Sequence, residues 1–228
     1  CRLSVACCRM NYLAHAYLYL DQPLFMSGTG VPDMLNVVNR KVRVRSRNLK
    51  PLLESSDLDV AEIAAGIQQH LDDDRWFHAT KVFNQLNLEF AQAMRDADPE
   101  DHSLRPRFLG HIIIELLIDA RLAEMRPRLL DRYYEVLEQV DAKKIQQVIN
   151  MASACQTDQF VRFFEVFCRE RFLYDYLDDQ RLGYRLNQVM KRVGLPLFGD
   201  SIMELIPSIR RRVYECHEAL LTAEVETD

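Results

Sequence analysis

The most regular pattern of apolar and polar positions in the chain lies at 110–119, Gly-His-Ile-Ile-Ile-Glu-Leu-Leu-Ile-Asp. Ile112, Ile113, Ile114, Leu116, Leu117 and Ile118 leave only His111, Glu115 and Asp119 polar, each four residues from the next. On a helix, residues four apart climb one face with a drift of about 40° per step, so the apolar side chains cover nearly all of the remaining circumference. A helix that is apolar nearly all round is a buried one, and its polar row is then buried with it. Buried carboxylates need a partner, a proton or a metal. The stretch 66–78 repeats the arithmetic with His70, Asp74 and His78. Two helices facing each other along these rows would gather three imidazoles and three carboxylates. The rows admit two readings: core histidines with carboxylates paired to Arg75 or Arg121, or a metal centre.

The remaining pattern is helical from end to end. Residues 10–20 are dense in aliphatic and aromatic side chains, with His15 the one ionisable group, and predict a buried first helix that Pro23 ends or bends. Residues 27–33 read as a loop whose Gly28 and Gly30 allow close approach of a ligand to the backbone. They lack the Lys-Ser/Thr ending of a phosphate loop. Val42 and Val44 alternate with basic residues, a pattern open to a short strand. Ser55 to Asp59 marks a helix start, with Asp59 and Glu62 spaced as a capping box. This helix runs through His70 and His78 and continues or kinks before Met94. A polar connection at 96–107, with an exposed His102, leads to the apolar helix, which ends near Pro127. Helices are expected at about 128–140, 142–154, 158–177 and 179–193, with Gly194 and Pro196 as a stop. A last helix, bent at Pro207, is expected from Ser201 to about Ala223. Phe160, Phe163, Phe164, Phe167 and Phe172 form a core stripe, and Arg210, Arg211 and Arg212 a solvated face.

Length and composition narrow the classes. A chain of 228 residues with 48% hydrophobic and 28% charged residues can bury a large core and is not a disordered one. A net charge of −5 gives no case for nucleic acid as a partner. No apolar run reaches the roughly 18 residues of a membrane span, so no membrane partner is expected. Cys1, Cys7, Cys8, Cys155, Cys168 and Cys216 include no Cys-x-x-Cys pair, and their scatter suits reduced thiols in a cytoplasmic protein. Six positive charges fall within 40–50. Arg40, Lys41, Arg43 and Arg45 there are either a solvated segment or a docking patch for a phosphate or an acidic partner. No internal repeat or domain linker stands out, so the expectation is a short extension, 1–9, before one domain, 10–228.

At several points the chain resembles a known family. Met10-Asn11-Tyr12-Leu13-Ala14-His15 is similar to the opening of the bacterial acyl carrier protein phosphodiesterases. Ser27-Gly28 with Asp33 resembles their second motif, and Gly66-Ile67 with His70 and Asp74 their third. The helix at Gly110 occupies the place of the fourth, and 214–220 resembles a weaker terminal pattern. The resemblance implies an all-α, HD-like helical domain with a buried centre of metal ligands. It implies a divalent metal, typically manganese, with iron or zinc as alternatives, and hydrolytic release of phosphopantetheine from holo acyl carrier protein. Thr29, Asn36, Leu71, His78, His111, Glu115 and Leu116 depart from the family's residues, and no adjacent His-Asp pair occurs. Most changes at ligand positions keep ligand capacity: His at 78 and 111 and Glu at 115 stand where the family has Asp.

These readings combine into one expectation. His70, Asp74, His111 and Glu115 hold a metal, with His78, Asp33 or His15 completing the set or holding a second ion. The metal activates water for phosphoester hydrolysis, and Asp119 or His15 carries the proton. Arg40, Lys41, Arg43 and Arg45 receive the acyl carrier protein or another phosphoester substrate. The alternative is a non-catalytic helical interaction protein with a buried polar network. A ferritin-like carboxylate centre is disfavoured, because Glu-x-x-His pairs are absent.

Overall fold

The computed structural model describes residues 12–222. The expected extension 1–9, Met10 and Asn11 of the opening motif, and Ala223 lie outside them. Every named element is helical: α1 (Tyr12–Ala16), α2 (Pro23–Thr29), α3 (Val31–Val38), α4 (Ser46–Leu53), α5 (Leu58–Ala79), α6 (Lys81–Ala97), α7 (Pro106–Met125), α8 (Leu129–Leu137), α9 (Ala142–Ala152), α10 (Phe160–Glu170), a 3-10 turn (Phe172–Leu177), α11 (Asp179–Arg192), α12 (Asp200–Met203), α13 (Ile206–Glu215) and α14 (His217–Leu221). The strand pattern around Val44 yields only an isolated antiparallel bridge to Ser153. Val42 and Val44 are nevertheless buried, while Arg43 and Arg45 are exposed. Among the described residues no helix is long and apolar enough to cross a membrane.

By its internal contacts the chain divides into two compact units. One comprises residues 12–76 with Met125–Phe172, and the other Phe77–Glu124 with residues 173–222. In the first, α10 packs against α9 and α3, while α8 lies against α1 and α2. Its core includes the expected aromatic stripe: Phe160, Phe164 and Phe167 are buried, and the Tyr12 ring meets Phe167 edge-on at 4.8 Å. In the second unit, α6 meets α12 and α14, and α11 meets α12 and α13. Ten residues of α7, from Leu109 to Ala120 with His111 and Gly110 aside, are at most 1% exposed, as its pattern requires.

Several boundaries differ from the sequence expectation. The first helix stops at Ala16, and Leu18 is 66% exposed. Pro23 ends nothing; it opens α2, where a missing N–H costs no hydrogen bond. Ser27, Gly28 and Thr29 belong to that helix and not to a loop. A Cβ on Gly28 would overlap the Ile63 carbonyl, and one on Gly66 the Phe25 carbonyl. These glycines therefore let two helices touch backbone to backbone, not a ligand. Asp57, two residues earlier than expected, caps α5 by accepting from the amides of Asp59 and Val60 at 3.1 and 3.3 Å. Glu62 is thereby released to accept from the Phe25 amide at 3.2 Å, tying α2 to α5. Thr80 breaks the long helix by capping α6. Pro207 separates α12 from α13 instead of bending one helix. Gly194, with φ of 74°, supplies the left-handed turn expected after α11.

Candidate metal centres

The polar rows that the sequence aligns are sorted by the fold into two groups, each wholly inside one unit. His15, His70 and Asp74 form one, and His78, His111 and Glu115 the other; in each, the three candidate ligand atoms lie within 4.8 Å of one another. Either group could hold a metal ion. The arginines offered as partners in the bland reading go elsewhere. Arg75 pairs with Asp72 at 3.0 Å, and Arg121 lies over the Tyr214 ring at 5.0 Å.

The first group is built by α1 and α5. His15 closes the short α1, and His70 and Asp74 are successive members of the row on α5. All three are buried, His70 completely. His15 Nδ1 lies 3.1 Å from Asp73 Oδ2, which leaves Nε2 facing Asp74 Oδ1 at 3.6 Å. His70 Nε2 lies 3.1 Å from the other oxygen, Asp74 Oδ2, yet off the line that a hydrogen bond requires. Its Nδ1 is buried without a partner. An unpaired buried polar atom costs on the order of 1–3 kcal/mol. Two ring nitrogens aimed past a carboxylate, with a ring held by a second carboxylate behind it, is the arrangement of a metal-binding histidine and its outer support. The residues therefore fit an ion.

Electrostatics in this group are strongly coupled. Burial opposes a charged His15, but hydrogen bonds to Asp73 and Asp74 and the charges of Asp74 and Asp33 outweigh it, raising its pKa to about 10. Burial likewise opposes an ionised Asp74, and the facing His70 and His15 overcome it, holding the carboxyl far below its usual range. An ion bound here displaces a proton from His15. Asp33, in the first turn of α3 and fully buried, is close enough to act on His15.

The second group joins the end of α5 to α7. His78 Nε2 and His111 Nε2 lie 2.8 and 3.0 Å from the same atom, Glu115 Oε1. The two rings stack at 4.5 Å and 23°, and Phe83 stands edge-on to both. Glu115 is buried, while the imidazoles keep 18% and 14% of their side-chain surface. Burial would raise the Glu115 pKa; the two imidazoles, His111 most, bring it down to about 2.

The sequence-derived site is thus redistributed. His15, expected as a ligand or a proton carrier, stands among ligand atoms with His70 and Asp74. His78, His111 and Glu115 are brought together without His70. Asp119 is buried on α7 and belongs to neither group. Arg40, Lys41, Arg43 and Arg45 are exposed in the unit that holds His15. Three contributors were missed. Asp73 is adjacent to Asp74 and therefore about 100° round the helix, a place where only a residue from another helix reveals its role. Gln69, whose Nε2 donates to Asp73 Oδ1 at 2.7 Å, was legible as an i,i+4 neighbour. Phe83 likewise has no signal until the helices are placed. No protein-family model matches this chain, and neither a curated protein nor a solved structure does.

Proposed function

We propose that this chain is a divergent relative of the acyl carrier protein phosphodiesterases and a metal-dependent phosphoester hydrolase. The observation that carries the reading is the meeting of three separated motifs at one imidazole: His15 from the first, Asp33 from the second, and His70 with Asp74 from the third. Gly28 and Gly66, from the second and third motifs, supply the close helix contact in the same unit. Such a convergence is what a common site would require.

In this reading His15 Nε2, His70 Nε2 and Asp74 hold a divalent ion, manganese by family resemblance and iron or zinc by the share of imidazole. The ion would supply charge neutralisation on the phosphoryl group and a lowered pKa for water. Asp73 fixes the His15 tautomer by accepting its Nδ1 proton. Asp33 is the buried carboxylate that takes the proton released by the attacking water. Arg40, Lys41, Arg43 and Arg45 present exposed positive charge to an acidic carrier protein or a phosphate. The departures at Leu71 and Leu116 weaken the case for the family's own substrate, so other phosphodiesters are assayed beside it.

The test is elemental analysis of protein purified without chelator, beside His70→Ala, with phosphopantetheine release from holo carrier protein as the activity. Manganese, iron or zinc bound by the native protein and reduced in the variant, with loss of hydrolysis, is expected. A folded native protein that takes up none of these ions on soaking would refute the reading. That result would favour a second one, a helical interaction protein, which draws support from the His78–Glu115 and His111–Glu115 contacts being satisfied without an ion.

A further inference from the structure

The chemistry of the second group is different, and it does not depend on the function proposed above. We infer that His78, His111 and Glu115 form a divalent-cation site of their own, of the zinc class. His111 and Glu115 are four apart on α7, the spacing at which two side chains of one helix chelate a common ion, and His78 arrives from α5. All three donor atoms converge: both Nε2 atoms point at Glu115 Oε1, within 3.0 Å. Zinc with ligands at about 2.1 Å in a tetrahedron needs donor atoms about 3.4 Å apart. Lengthening the two imidazole–carboxylate distances by roughly half an ångström, within the reach of small χ rotations, brings them to that spacing, and the two imidazole nitrogens already lie within 4.8 Å of each other.

The surroundings suit an ion that exchanges with solvent. Phe83 and Phe77 pack edge-on against the imidazoles, at 5.0 and 5.3 Å from His78, and hold the rings where they stand. The carboxylate is buried behind them, but both imidazoles are partly exposed, so an ion has a path in. Three protein ligands leave at least one coordination position for water or an anionic group, the pattern of reactive zinc sites and not of closed structural ones. Two imidazoles and one carboxylate select zinc, cobalt or nickel over magnesium or calcium.

The experiment is a titration of chelator-treated full-length protein with Zn²⁺ by calorimetry and with Co²⁺ by visible absorption. His70→Ala, His111→Ala and the double variant are compared, and the fold of each is checked by circular dichroism. His70→Ala should keep one equivalent of Zn²⁺ and a visible Co²⁺ spectrum, and zinc should raise its melting temperature. The double variant should lose all three. If His111→Ala unfolds, the partly exposed His78→Gln takes its place and should weaken binding at least about tenfold. A folded His70→Ala that binds no Zn²⁺, or a double variant that keeps its equivalent, overturns the inference. The two readings fail separately: loss of the first site leaves one equivalent sensitive to His111, and loss of the second leaves one sensitive to His70.

Discussion

Replacing Gly66 by alanine sets two effects of opposite sign against each other. Gly66 lies in the middle of α5, a 22-residue helix. On propensity alone, Gly→Ala inside a helix stabilises by about 1 kcal/mol. A Cβ at this position would run into the Phe25 carbonyl and sit 3.1 Å from the Gly28 Cα. Both obstacles are backbone, so no side-chain rotation relieves them, and the cost belongs at the upper end of overpacking, about 3 kcal/mol. The net expectation is a loss of about 2 kcal/mol, which for a chain of this size is a fall of roughly 4–8 °C in melting temperature. Gly183→Ala is the control. Its Cβ meets mainly the Sδ and Cε atoms of Met203, the end of a flexible side chain that can turn away. Thermal and urea denaturation of both variants should show a large loss for Gly66→Ala and a small change for Gly183→Ala. A Gly66→Ala protein as stable as the parent, or more so, would refute the backbone contact between α2 and α5.

Two further predictions rest on other parts of the molecule. Asp73→Asn keeps the shape beside His15 but removes the acceptor charge behind its Nδ1, so metal affinity at the first group should fall about 10–100-fold with little change in fold; unchanged affinity by calorimetry would remove Asp73 from the site. Burial, reinforced by the charge of Glu138, pushes the Cys168 thiol up to about 12, whereas Cys155 is exposed. At pH 8 only about one Cys168 in ten thousand is then a thiolate, so a thiol reagent should label Cys155 first and Cys168 only slowly. The Cys168 rate should go on climbing with pH far into the alkaline range. Equal rates in the folded protein would contradict the burial.

The sequence alone determined the all-helical class and most helices, because period and punctuation are local properties. The row of α7 predicts its burial, and Gly194 predicts the end of α11. It also named all six residues of the two groups as candidates, because an i,i+4 row sets imidazole and carboxylate on one face of a helix. What it missed depends on neighbours distant along the chain. Pro23 and Thr80 mark helix starts only once the helices they begin are seen. Gly28 and Gly66 face each other's backbone and not a ligand. Arg210, expected on a solvated face, instead reaches Asp179 at 2.7 Å and the Tyr176 carbonyl at 2.8 Å. The sorting of the rows was likewise tertiary. Periodicity states which side chains share a face of one helix, but not which imidazole arrives from another. The arrival of α1 at α5 gathers His15 with His70 and Asp74, and the approach of α7 to the end of α5 gathers His111 and Glu115 with His78. Only packing decides that, since the free energy of these contacts comes from apolar surfaces buried around them and not from the polar row itself.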